Sequence, residues 1–171
     1  MMMNDVADIN CEKYADETEL MLQKNNMSEA EREEFLDRFS EESDRTLVAF
    51  GIMGGIFGEG IDLKNDRLIG AIVVGTGLPQ ISNERTILKD YYDAENGCGF
   101  DYAFRYPGIN KVLQAAGRVI RTTEDTGVIL LLDERFWQRE YDLLYPREWS
   151  DRKPCNIANV GKLVADFWEQ I

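Results

Sequence analysis

The sequence predicts an α/β domain built on a mainly parallel sheet. Short, nearly continuous apolar runs at Thr46 to Gly51, Leu68 to Gly75 and Val128 to Asp133 have the composition of strands covered on both faces. Stretches with helical periodicity and helix-start signals lie between them. Strands that alternate with helices make a parallel sheet. The chain has 171 residues, 44% apolar and 30% charged, enough for a single domain with its own core.

Taken in order, Met1 to Ile9 reads as a short helix with Met2, Val6 and Ile9 on one side. Glu19 to Gln23, with Leu20, Met21 and Leu22, fits a buried strand. Ser28 followed by Glu31 is a capping-box pattern and opens a helix to about Ser43, its buried edge formed by Phe35, Leu36 and Phe39. After the strand at Thr46 to Gly51 comes a loop rich in glycine (Gly54, Gly55, Gly58, Gly60), with Glu59 and Asp62 embedded in it. On its residues alone this is a tight turn capped by Asp62, and it lacks the Gly-Lys-Ser/Thr ending of a phosphate loop. Gly77-Leu78-Pro79 ends the next strand, and Ser82 caps a helix carrying Ile87, Leu88 and Tyr91. Phe100 to Tyr106 is aromatic-rich and reads as core packing in preference to a base-stacking platform. Pro107 suits the first turn of a helix. Thr122 to Gly127 is a turn, Val128 to Asp133 a buried strand, Phe136 to Leu144 helical, and Pro146 to Pro154 a loop. Asn156 caps a last helix with Val160, Leu163, Val164, Phe167 and Trp168 on one stripe. Residues 1–18 and 141–171 are peripheral.

Gln114 to Arg121, reading Gln-Ala-Ala-Gly-Arg-Val-Ile-Arg, continues the helix opened by Pro107. Gln114, Gly117, Arg118 and Arg121 fall on one helical face, while Leu113, Ala116, Val119 and Ile120 lie off it and can pack. A helix-interior glycine costs about 1 kcal/mol against alanine, so its place beside two arginines suggests a close approach to the backbone. Paired guanidinium groups suit a polyanion; a solvated face with two surface arginines is the plainer reading of these residues alone. In parallel sheets ligands sit beyond the carboxyl ends of the strands. Residues 54–62 follow one strand and Asp133 to Arg135 end another, and the arginine helix is expected at that same edge.

A net charge of −13 argues against a stand-alone nucleic-acid binder, although Arg105, Lys111, Arg118 and Arg121 leave room for a local basic site. There is no histidine, so the usual general base is missing. Cys11, Cys98 and Cys155 are odd in number and far apart, which suggests neither a disulfide framework nor a metal site and fits a reduced, cytoplasmic setting. No apolar run is long enough to span a membrane, and the first residues show no secretion signal.

In combination the motifs say more. Gly58-Glu59-Gly60-Ile61-Asp62, Gly77-Leu78-Pro79, Gln114 to Arg121, Asp125-x-Gly127 and Leu132-Asp133-Glu134-Arg135-Phe136 occur in one series. That series resembles the second RecA-like domain of XPD/DinG-type superfamily 2 DNA helicases, over roughly Glu19 to Glu140. The resemblance implies a three-layer RecA-like domain, a mainly parallel sheet flanked by helices and lacking its first strand. It implies that Gly58, Glu59, Gly60 and Asp62 form motif V, with Glu59 and Asp62 on the ATP side. Gln114, Gly117, Arg118 and Arg121 match motif VI, whose arginines act as fingers on the triphosphate. Asp125 matches a position just after it, and Asp133 with Arg135 a structural strand-end pair. The implied ligands and partners are ATP with Mg²⁺, a first RecA-like domain of the same protein, and single-stranded DNA. The Walker A lysine, the Mg²⁺ carboxylates and any cysteine cluster belong in that family to the first domain, and the start of this chain resembles the helix just after motif IV. The resemblance therefore implies a fragment, inactive alone, with no cofactor bound to it. The alternative is a non-catalytic interaction module that keeps a RecA-like fold, which the acidic surface favours.

Overall fold

The computed structural model describes residues 16–24, 26–40, 42–54 and 68–171. The helix read at Met1 to Ile9 and the motif residues Gly58, Glu59, Gly60 and Asp62 lie outside the described residues.

Strand β1 (Thr18–Leu22) leads to helix α1 (Glu29–Asp37) and back to β2 (Thr46–Phe50), which pairs with β1 in parallel, Thr18 opposite Thr46 and Leu22 opposite Phe50. Ser28 closes the predicted capping box: its N–H donates to the Glu31 carboxylate at 2.8 Å, and the Glu31 N–H donates to its hydroxyl at 3.3 Å. The helix tightens after Asp37 into a 3₁₀ turn, Arg38–Ser40, short of the expected end. Glu33, Glu34 and Asp37 crowd its negative end, and Glu42 and Asp44 would extend the mismatch with the dipole.

Strand β3 (Gly70–Val74) is followed by α2 (Asn83–Asn96), a π-helical turn (Asp101–Arg105), α3 (Tyr106–Ala116) and β4 (Val128–Leu132). β4 returns parallel to β3, Gly70 opposite Val128 and Val74 opposite Leu132. The strands thus form two parallel pairs. The starts of β2 (Thr46, Leu47) and β3 (Gly70) line one cavity of 270 Å³, so both pairs begin at the same end of the domain. The core gathers Val73, Ile109, Val112, Phe136 and Tyr141, with Met53, Leu113 and Leu131 packed against it. Val112 of α3 is 0% exposed.

Several expectations need correcting. β3 is covered on one face only: Val73 is 5% exposed and Ile72 is 65% exposed. Among the described residues α3 packs on one side of it, and its apolar composition did not reveal the asymmetry. No residue of α2 is buried, although Ser82 caps it as predicted. Phe136 to Leu144 is a 3₁₀ turn (Glu134–Trp137) and a short helix α4 (Arg139–Asp142), because Gln138 between them is extended, with φ −72° and ψ 142°. Helix α5 (Val160–Trp168) starts after Asn159 instead of Asn156, whose N–H donates to the Asn159 side chain at 2.7 Å.

Pro107 sits in the first turn of α3, yet the chain is already helical when it arrives. A proline inside a helical run has no N–H for the carbonyl four residues back, here that of Ala103, and its ring crowds that oxygen. The wider π turn accommodates the proline, with the Tyr106 N–H donating to the Asp101 carbonyl five residues back. The Arg85 guanidinium of α2 then donates to the Ala103 oxygen at 2.6 Å. Arg85→Met, which keeps the apolar stem and helix propensity, is expected to lower the unfolding free energy by about 1–3 kcal/mol. Urea denaturation would measure this; an unchanged midpoint would mean the carbonyl finds another donor. The aromatic segment packs on its own neighbours: Tyr92 stacks on Tyr102 at 4.0 Å and Phe100 on Phe104 at 5.5 Å.

Candidate functional site: the turn after the third helix

α3 spans the domain between two closely packed contacts. At the carboxyl ends of the strands, Gly75 (φ 83°) and Gly77 (φ 67°) shape the loop after β3. Gly77 lies directly against Gly108 of α3, and a methyl on either would stand 2.7 Å from a backbone oxygen of the other segment. At the far end, Val119 is buried against Gly127, where a methyl would lie 2.4 Å from a Val119 side-chain carbon and 2.9 Å from the Ile69 carbonyl oxygen. The Val128 N–H donates to that same oxygen at 3.0 Å. α3 therefore runs from the strand ends back to the strand starts.

This geometry corrects the helical ridge expected from the sequence. α3 stops at Ala116. The Gly117 N–H still reaches four residues back, to Leu113 at 2.9 Å. The Arg118 and Val119 N–H groups reach only three back, to Ala115 and Ala116 at 3.1 and 3.0 Å. Gln114 is exposed on the last helical turn, whereas Arg118 and Arg121 lie on the non-helical segment that follows. Gly117 serves as the helix C-cap, with φ −66° and ψ −1°. The buried Val119 draws the segment toward the sheet, and Ile120, expected to pack, is exposed. The second correction concerns the edge: the backbone carrying both arginines is anchored beside the strand starts, not beyond their carboxyl ends.

Asp125 fixes this segment from the other side. Its carboxylate accepts the backbone N–H groups of Arg121 at 2.9 Å and Thr122 at 2.7 Å. Those two bonds, the Arg121 amide first, hold the carboxyl below its ordinary range. Asp133, at the end of β4, accepts from the Arg135 amide at 2.9 Å and from its guanidinium at 2.8 and 2.6 Å. The guanidinium bond is the main cause of its lowered carboxyl pKa, and the pair clamps β4 to the turn that follows. Sequence reasoning missed Thr76, a fully buried polar side chain, and the Gly108 contact; the alternation Gly75-Thr76-Gly77 was the available signal. Among the described residues no group of three or more His, Cys, Asp and Glu could hold a metal ion, and no helix is long and apolar enough to cross a membrane.

Short parallel strand pairs flanked by helices make this a partial RecA-like domain, with two arginines on a pinned turn. The helicase C-terminal domain family matches residues 1–152, and the chain belongs to it. ATP-dependent DNA helicase XPD of Sulfolobus acidocaldarius is 32% identical over 145 residues, 79% of this chain and 24% of that protein. ATP-dependent DNA helicase DinG of Photobacterium profundum is 30% identical over 138 residues, 75% of this chain and 20% of that protein. Regulator of telomere elongation helicase 1 of Bos taurus is 30% identical over 113 residues, 61% of this chain and 9% of that protein. The chain spans about a quarter or less of the length of these relatives.

Proposed function

We propose that this chain is the C-terminal motor domain of an ATP-dependent DNA helicase, supplying Arg118 and Arg121 to the triphosphate of ATP held with Mg²⁺ by a first RecA-like domain of the same polypeptide. The observation that carries the reading is the pinned turn. Val119 is buried between the two arginines, and Asp125 holds the Arg121 and Thr122 amides. Phosphoryl transfer needs positive charge placed in advance where charge develops on the transferring group, and a planar guanidinium on a fixed backbone supplies it with little reorganisation. With the nucleotide held by a neighbouring domain, hydrolysis depends on closure of the cleft between the two. Gln114 is the third member of the catalytic set. Gly58, Glu59, Gly60 and Asp62 are assigned to coupling the nucleotide to the bound strand, with Gly117 and Asp125 shaping the arginine turn.

The intact polypeptide is expected to hydrolyse ATP with stimulation by single-stranded DNA, and residues 1–171 alone to give no turnover above background. A phosphate-release assay on both proteins tests this. Turnover by the isolated chain at the intact rate would sink the two-domain reading, and an intact protein without DNA-stimulated hydrolysis would sink the helicase reading.

A further inference from the structure

We infer that Thr76 and Lys111 form a phosphate-binding pair at the carboxyl ends of β2 and β3, separate from the arginine turn. Thr76 is 1% exposed, and its hydroxyl has no hydrogen-bond partner. A buried hydroxyl left unpaired costs about 1–3 kcal/mol, and valine would fill nearly the same volume without that cost. The residue sits in the loop after β3, between two glycines in the left-handed region. The loop packs tightly on Gly108 at rest, so the hydroxyl meets a ligand only when the loop lifts from α3. The loop rests on Gly108, one helical turn before Lys111 on α3. The Lys111 ammonium lies over Gly54, just past the end of β2: a methyl on Gly54 would stand 3.7 Å from Nζ. Among the described residues Lys111 makes no ion pair. An unpaired ammonium and an unpaired hydroxyl, on segments that touch at the ligand edge of parallel strands, match one ligand chemistry: the phosphate oxygens of a polyanion. In the bound state the Thr76 hydroxyl donates to one phosphate oxygen and Lys111 contributes its charge beside it.

The phosphate can belong to a nucleic-acid strand or to a nucleotide, and the test separates them. The assignment rests on the helicase reading only for the identity of that ligand. Intact polypeptide carrying Thr76→Val, Thr76→Ser or Lys111→Ala is titrated with fluorescein-labelled oligo(dT) over a range of salt, and KM for ATP is measured in parallel. For a strand phosphate, Thr76→Val and Lys111→Ala each raise the Kd for oligo(dT) by about tenfold, and Lys111→Ala reduces the salt slope by about one. For a nucleotide phosphate, KM for ATP rises instead. In both cases Thr76→Ser stays close to the unsubstituted protein, and Thr76→Val melts no earlier than it. The inference is overturned if both variants keep Kd and KM within twofold, or if the loss in Thr76→Val comes with a lower melting temperature, which would give the hydroxyl a role in the fold. Failure of the helicase reading would show separately, as absent DNA-stimulated hydrolysis in the unsubstituted protein.

Discussion

Arg118→Ala in the intact polypeptide is expected to reduce DNA-stimulated ATP hydrolysis by about 10³-fold or more, the range associated with loss of an arginine finger. That corresponds to about 4 kcal/mol or more of transition-state stabilisation. The fold should survive the change. Arg118 is half-buried on a segment whose position is set by its neighbours, Val119 against Gly127 and Asp125 on the Arg121 amide. Arg121→Ala is expected to behave alike, because Asp125 accepts from its backbone and that bond needs no side chain. Arg118→Lys should recover little, since a point charge lacks the two-pronged geometry of a guanidinium. Single-stranded DNA affinity should stay within a few-fold. Hydrolysis and DNA binding falling together, with an unchanged melting temperature, would place Arg118 on the strand instead of the nucleotide.

Gly108→Ala is expected to destabilise the chain by about 1–3 kcal/mol, the usual cost of overpacking a close contact. The added methyl would lie 2.7 Å from the Thr76 carbonyl oxygen, 3.2 Å from the Leu78 nitrogen and 3.3 Å from the Gly77 carbonyl carbon. All three are backbone atoms, so no side chain can rotate away; α3 and the loop after β3 must separate. Val112 and Ile109 sit on the same helix in the core, and that separation would loosen them as well. Gly161→Ala is the matching control. It lies in α5 with nothing within 4 Å of an added methyl, and should stabilise by up to about 1 kcal/mol through helix propensity alone. Urea denaturation of both variants measures the contrast. A Gly108→Ala midpoint equal to that of the unsubstituted chain would mean that the glycine–glycine contact is not tight in solution.

Most of the elements were legible because their signals are local. The Ser28–Glu31 box, the Ser82 cap and the apolar runs of β2, β3 and β4 depend on residues close together in the sequence, and each forms the cap or strand expected of it, although no residue of β2 or β4 is fully buried as their composition suggested. The misreadings share one cause. Helical periodicity continued through Gln114 to Arg121, but nothing local said that Val119 would turn inward to meet Gly127 and stop the helix at Ala116. Likewise, the composition of β3 fits a strand buried on both faces, and only the placement of α3 decides which face is covered.

The sequence by itself determined the alternation of strands and helices and the order of motifs that marks the helicase C-terminal family, since both are written in residue types at fixed spacing. Tertiary structure alone decided where the arginines stand, which edge of the sheet they share, and which hydroxyl is left without a partner. Those outcomes depend on contacts such as Gly77 with Gly108 and Val119 with Gly127, between residues distant in the chain. The fit of one surface against another sets them, and no single segment encodes that fit.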